Sequence, residues 1–296
     1  MIVTKEPRLE TASLEAPLAI VCGGGSLPFA IADAVTRRGR PIVLFALRGF
    51  ADAQRVALYR HHWLSLGKYG LLVRTARKEG CQDIILIGSV VRPALSQVRL
   101  DFATVRHLPE LMRIFRGGDN HLLSGVVRAL EQDGLRVLGA QEVAPEILVP
   151  EGLLGAHVPS TRDRDDIARG LALIATMGPF DVGQAAVVAN NHVLAIEAIE
   201  GTDEMLLRIA ELRRRGRLRT HQGSGVLIKA PKPGQDKRVD LPTIGPHTID
   251  AVIRAGLAGL AVVAGETIVA EPDRAVMAAD QAGLFVVGVP APGSSR

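Results

Sequence analysis

A chain of 296 residues with 47% hydrophobic and 22% charged residues is long enough for two ordinary domains and too apolar to be disordered. Lys plus Arg exceed Asp plus Glu only by 35 to 31, and one Trp, two Tyr and seven Phe make no stacking platform, so nucleic acid is not an expected partner. The two isolated cysteines, Cys22 and Cys81, exclude a cysteine zinc site and read as reduced core thiols of a cytoplasmic protein.

The first sixteen residues carry charges throughout, without the apolar core of a signal peptide, and are expected to be an unstructured extension. No later run approaches the roughly 20 apolar residues of a membrane span. Residues 18–22 form a short aliphatic run that ends at Gly23-Gly24-Gly25, after which Ser26 is expected to cap a helix with Pro28 in its first turn. A second strand is expected over 41–46, which makes the opening a βαβ unit of a doubly wound sheet. Gly23, Gly25 and Pro28 match only part of the dinucleotide fingerprint, and the second strand ends Ala46-Leu47-Arg48 with no acid for ribose hydroxyls. The pattern therefore argues against NAD, while a glycine turn opening a helix still offers backbone N–H groups to a phosphate.

Further along, a strand is expected over 63–66, a turn over 67–70, a helix over 71–78 and a strand over 84–87. The last of these runs into Gly88-Ser89 and Arg92-Pro93, at the carboxyl end of a strand where open α/β sheets hold their ligands, so Arg92 and Lys68 are candidate phosphate contacts. A helix follows Gly118-Asp119-Asn120, then a strand over 135–138. Residues 17–144 thus read as a Rossmann-like α/β domain, 145–160 as a Pro- and Gly-containing linker, and 161–296 as a second α/β domain.

In the second domain the expected order is a helix over 163–175, a hairpin over 185–199 turning at Asn190-Asn191, and a helix over 204–215 capped by Thr202 or Asp203. A strand over 225–228 delivers Lys229 into KAPKPGQDKRVDLPTIG. Three prolines make that stretch a stiff loop. A helix over 246–254, strands over 260–263 and 267–269, a helix over 272–282 ended by Gly283, and a strand over 284–289 complete the chain. Polar residues collect at two element ends: Glu197, Thr202 and Asp203 after one strand, and Lys229, Lys232, Gln235, Asp236, Arg238 and Asp240 after another. An acid such as Glu197 inside an aliphatic strand is unfavourable to bury unpaired. Carboxylates and cations facing one pocket suit a hard Mg²⁺ or Mn²⁺ ion and a diphosphate, and hence phosphoryl transfer to water.

The stretches IVCGGGSLPFAIADA, GKYG, IGSVVRP, DVGQAAVVANNHVLAIEAIEGTDEML, KAPKPGQDKRVDLPTIG and GLFVVGV resemble the LpxI family, the UDP-2,3-diacylglucosamine pyrophosphatases of lipid A synthesis. The resemblance runs in order from about Leu18 to Val289. It implies Mg²⁺-dependent hydrolysis of the nucleotide-sugar diphosphate to UMP and 2,3-diacylglucosamine 1-phosphate in a cleft between two domains. It also implies a homodimer that is cytoplasmic or peripheral at the inner membrane, and it carries the aspartates of GTD and QDKRVD onto Asp203, Asp236 and Asp240. The expected site accordingly has Asp236, Asp240, Lys229 and Arg238 as catalytic residues. Gly23, Gly24, Gly25, Lys68, Arg92, Gln184, Thr202, Lys232 and Gln235 are expected to bind substrate, and Asp236, Asp240, Asp203 and Glu197 to hold the metal. The competing expectation is a lipid or nucleotide-sugar binding protein without catalysis.

Overall fold

A computed structural model describes residues 16–90, 119–180 and 182–291. Two α/β bodies are each built on their own sheet. In the first, strands β1 (Leu18–Cys22), β2 (Ile42–Leu47), β3 (His61–Leu64), β4 (Asp83–Ile87) and β5 (Arg136–Val137) form an all-parallel sheet in the order β3-β2-β1-β4-β5. Every residue of β1 is buried, because helices cover both faces of a parallel sheet and its strands need near-continuous apolar sequence. Helix α1 (Leu27–Arg37) buries Phe29, Ile31 and Val35 against it. The Ser26 side chain does not cap α1: Ser26 is already helical in its dihedrals, and Pro28 supplies a first-turn residue with no N–H donor left to satisfy. A short helix α2 (Ala53–Val56) went unpredicted, although Asp52 caps it by accepting from the Gln54 amide at 2.9 Å. Helices α3 (Tyr69–Lys78), α4 (Asp119–Gln132) and α5 (Ala140–Val143) complete the body.

The chain order reverses between β1 and β4, and the loops after these strands form the switch point where doubly wound sheets place ligands. Here those loops are pressed together. A Cβ at Gly23 would lie 2.8 Å from the Ser89 carbonyl oxygen and 2.9 Å from the Gly88 carbonyl carbon, so only glycine permits the approach.

The second body contains helix α6 (Thr161–Met177), strands β7 (Ala185–Ala189) and β8 (His192–Ile196), helix α7 (Gly201–Arg214) and strand β9 (Val226–Lys229). Strand β10 (Thr243–Ile244), helix α8 (Pro246–Ala255), strand β11 (Gly259–Val263), strand β12 (Ile268–Val269), helix α9 (Pro272–Gln281) and strand β13 (Phe285–Val289) follow. With β6 (Gly152–Leu153) the main sheet has the order β6-β13-β11-β9-β7-β8. The central strands β13, β11 and β9 are parallel, while β6 and the β7–β8 hairpin are antiparallel additions. Asn190 and Asn191 make the hairpin turn at φ 52° and 64°, the left-handed conformation that asparagine tolerates. Strand β8 ends at Ile196, three residues earlier than expected, which puts Glu197 just past the strand and not inside it. Strands β10 and β12 pair with each other in a separate two-stranded parallel sheet.

Residues 145–160 connect the bodies without being a free tether. Ile147 packs into a first-body core together with Ile268, while Val149 packs into a second-body core. Leu148 makes an antiparallel bridge to Ile268, and β6 extends the second sheet alongside β13. The sequence shows Pro and Gly there, but between them Ile147 and Leu148 pack on one core, and Val149 and Leu154 on the other.

Candidate active site

Strand β9 is buried along its length and ends at Lys229, where the polar loop begins. The Lys229 ammonium donates to the Thr243 carbonyl at 3.0 Å, so it ties the first residue of the loop to the strand that closes it. Lys229 is 9% exposed. Burial pushes its amine below the ordinary lysine value, and the negative charges of Glu197 and Asp203 pull in the opposite direction.

Within the loop, Arg238 grips the Asp236 carboxylate with two parallel bonds, Nε to Oδ1 at 2.9 Å and Nη2 to Oδ2 at 2.8 Å. Its remaining arm donates to Glu131 Oε1 at 2.6 Å, on helix α4 of the first body. Val239 and Leu241 pack against two different first-body cores. Phe50, Leu66 and Tyr69 pack on the same core as Val239, so the loop lies over the carboxyl ends of the first sheet; Lys68 stands between Leu66 and Tyr69 in the sequence. The loop thus joins the carboxyl end of β9 to the carboxyl ends of the first sheet.

Asp240 and Glu197 are joined through one residue. Gln184 Nε2 donates to Asp240 Oδ1 at 3.0 Å, and the backbone N–H of Gln184 donates to Glu197 Oε2 at 2.8 Å. Thr202 Oγ1 donates to Glu197 Oε1 at 3.0 Å. The preceding Gly183 leaves room for this contact, since a Cβ there would lie 2.4 Å from Glu197 Cγ. Gln235, 7% exposed, accepts from the Lys232 amide at 2.9 Å and donates to the Asp240 carbonyl. Asp203 stands in the first turn of α7, and His247 Nδ1 in the first turn of α8 lies 3.5 Å from its Oδ2.

Several expected site residues therefore meet, and several have other partners. Gln184, Glu197, Thr202, Lys229, Lys232, Gln235 and Asp240 belong to one connected region. Thr202 does not cap α7, which starts at Gly201; its hydroxyl supports Glu197. The amides of Gly23 and Gly24 donate to the carbonyls of Ile87 and Ser89, at 2.9 and 2.8 Å, so these glycines serve the close loop packing and their N–H groups are engaged. Gly25, at φ +89°, turns the chain into α1. Arg92 lies outside the described residues, as do Asp181 and the first fifteen residues.

The four expected metal ligands do not form a ready cage: among the described residues, no three His, Cys, Asp or Glu side chains gather where they could hold an ion. Asp236 is occupied by Arg238, and Glu197 accepts from Gln184 and Thr202. Sequence order missed Glu131 because nothing on the polar side of a helix signals a partner 107 residues away.

The Asp236–Arg238 pair has a pH signature. The guanidinium beside Asp236 holds its carboxyl below the usual carboxylate value. Its contribution to stability is therefore complete above the unfolded value of about 4 and is lost as pH falls through the lower folded value. Denaturant titrations from neutral pH downward are expected to show this loss in the wild type and a flatter profile below about pH 4 in Arg238→Met. Superimposable acid profiles would refute the assignment.

Family models describing the LpxI N-terminal domain and the LpxI C-terminal domain match residues 17–147 and 150–287. The UDP-2,3-diacylglucosamine pyrophosphatase LpxI of Caulobacter vibrioides (strain ATCC 19089 / CIP 103742 / CB 15) is 41% identical over 272 residues, covering 92% of this chain and 97% of that protein. A solved Thermus thermophilus UDP-glucose 4-epimerase in complex with NAD covers 94% of this chain and 88% of its own at 12% identity. Its TM-score of 0.30 is too low to support an argument about fold or ligand.

Proposed function

We propose, from the premise that the chain belongs to the LpxI family, that it hydrolyses the diphosphate of UDP-2,3-diacylglucosamine to UMP and 2,3-diacylglucosamine 1-phosphate. The observation that carries this reading is the 41% identity that extends through both bodies to a relative named for that substrate. The loop between Lys229 and Thr243 supports it, since it brings cations and carboxylates to the meeting point of two sheets' carboxyl ends.

In this reading one phosphorus–oxygen bond to the bridging oxygen breaks, and one from phosphorus to the water oxygen forms. Asp240, oriented by Gln184, takes the proton that the attacking water loses. Lys232 and Lys68 meet the diphosphate charge, together with Arg92. Gly25 and the first turn of α1 offer backbone donors to the nucleotide end. Arg238, occupied by Asp236 and Glu131, shapes the loop between the two bodies and contributes positive potential without a free fork. Lys229 acts from beneath, by fixing where the loop starts and ends.

A Mg²⁺ or Mn²⁺ requirement is part of the proposal. Magnesium sites commonly use one or two carboxylates and complete their shell with substrate phosphate and water, so a full protein cage is not needed. Asp240 and Asp203 are the hard-oxygen ligands that fit that chemistry. A bound ion would supply charge neutralisation and a polarised water.

The test is release of UMP from UDP-2,3-diacylglucosamine, followed with and without added Mg²⁺ or Mn²⁺ and after EDTA. We expect turnover with metal and its loss on chelation. Substrate bound but never cleaved under any of these conditions would favour the non-catalytic binding protein instead, and turnover undiminished by EDTA would remove the metal from the proposal. Among the described residues no helix is long and apolar enough to cross a membrane. Homodimer formation and peripheral contact with the inner membrane extend the proposal; light scattering and co-sedimentation with anionic liposomes test them.

A further inference from the structure

We infer that Gln184 is a positioning residue for Asp240, and that its amide sets where the carboxylate sits. The inference rests on the reading of Asp240 as the group that handles the attacking water. It assigns Gln184 a role different from the substrate contact expected from sequence.

Three bonds hold Gln184 from three directions. Its N–H donates to Glu197 Oε2 at 2.8 Å, its carbonyl accepts from the Ala230 amide at 3.0 Å, and Nε2 donates to Asp240 Oδ1 at 3.0 Å. The two backbone bonds anchor the residue to the chain beyond β8 and to the first residue after Lys229. The side chain therefore starts from a fixed point, and the amide reaches Asp240 with little freedom. Glu197 is itself fixed, since its other oxygen accepts from Thr202 at 3.0 Å and its carbonyl accepts from Gly183 at 3.0 Å. Gln235 secures the Asp240 backbone from inside the loop by donating to its carbonyl. One glutamine thus holds the main chain of Asp240 and the other aims its side chain. The Nε2 atom is a donor only, so the bond requires an acceptor oxygen on Asp240.

The ionisable groups on the elements that meet here are Glu197 after β8, Lys229 at the end of β9, Asp203 and His247 at the starts of α7 and α8, and Lys232, Asp236, Lys237 and Arg238 in the loop. Gln184 is the neutral member among them. Replacing it by glutamate would set a second carboxylate against Asp240 with almost no change of volume. The substitution thus puts an acceptor where the amide donates, which separates loss of the bond from loss of packing.

The experiment compares wild type, Gln184→Leu, Gln184→Glu and Asp240→Asn in UMP release from UDP-2,3-diacylglucosamine across pH. Gln184→Leu is expected to lower kcat by about 10- to 100-fold with KM nearly unchanged, the size of effect typical of lost orienting partners. Gln184→Glu, which keeps the volume and loses the donor, is expected to lose kcat to a similar extent with KM nearly unchanged. A merely structural role would lower the melting temperature and leave kcat per folded molecule unchanged. A rise in KM with kcat unchanged would return Gln184 to the substrate-binding residues and overturn the inference. Wild-type kinetics in both Gln184 variants beside an inactive Asp240→Asn would also overturn it, while leaving the reading of Asp240 intact. Full activity of Asp240→Asn would instead remove the reading on which the inference rests, and the inference with it.

Discussion

Asp240→Ala is expected to reduce UMP release by about 10²- to 10⁴-fold, the range for loss of a positioned acid or base, while the protein remains folded. The reason is local. Asp240 sits at the end of a polar loop whose backbone is held independently, by Gln235 at the Asp240 carbonyl and by Lys229 at Thr243. Truncating the carboxylate removes an acceptor and leaves that scaffold in place. Asp236→Ala provides the contrast. That change releases Arg238 from a two-bond grip while its contact with Glu131 stays, so the loop's geometry changes along with its charge. Its effect is expected in KM as well as kcat, and in the acid-stability profile. Steady-state kinetics with matched melting curves separate the two, and full turnover by Asp240→Ala would end its assignment as the reacting carboxylate.

Lys229→Ala is expected to destabilise the protein by about 2–5 kcal/mol, as for truncation of a long buried side chain that leaves a cavity. It also leaves the Thr243 carbonyl without its ammonium donor, and Glu197 and Asp203 without the positive charge between the elements that carry them. Activity should fall with stability, because the ends of the loop are no longer tied. Lys229→Met fills most of the volume without the charge and separates the two contributions. Stability close to wild type with activity still low would show that the ammonium matters for the site, whereas equal loss in Met and Ala would assign the effect to the missing bond. Urea unfolding midpoints and slopes measure the stability of each. An Ala variant as stable as wild type would contradict the buried tie.

Much of the fold is legible in the sequence. The glycine turn after 18–22, the hairpin at Asn190-Asn191 and the helix stop at Gly283 each rest on backbone chemistry that few residues can supply, and each appears as expected. Expectations about caps did less well. Ser26 and Thr202 are suitable cap residues by type, yet α1 begins without a side-chain cap and the Thr202 hydroxyl turns to Glu197. A cap is a local preference of about 1 kcal/mol, and a carboxylate in need of a partner can compete with it. Past the end of strand β8 the Glu197 backbone still pairs with Ala185 and Gly183, and its side chain is satisfied by accepting from Gln184 and Thr202.

The site shows the same division. The residue types needed for diphosphate chemistry stand together in KAPKPGQDKRVDLPTIG, and that clustering is a property of the sequence. Their roles depended on partners distant along the chain. Gln184 and Asp240 are 56 residues apart, and Arg238 and Glu131 are 107 apart. Lys229 is expected from the sequence to be a catalytic residue, but strand β9 directs it into the interior and onto Thr243. The glycines read as an anion loop, but two of their amides complete the packing against Gly88-Ser89.

By itself, then, the sequence determined the two α/β bodies, the stiff polar loop and the kind of chemistry its side chains can support, because periodicity, proline and glycine act through neighbouring backbone. Only the tertiary structure decided which carboxylates are already paired, which lysine is buried and which glutamine reaches Asp240. Those outcomes follow from strand order and loop docking, which bring distant residues into hydrogen-bond contact without any trace in their local spacing.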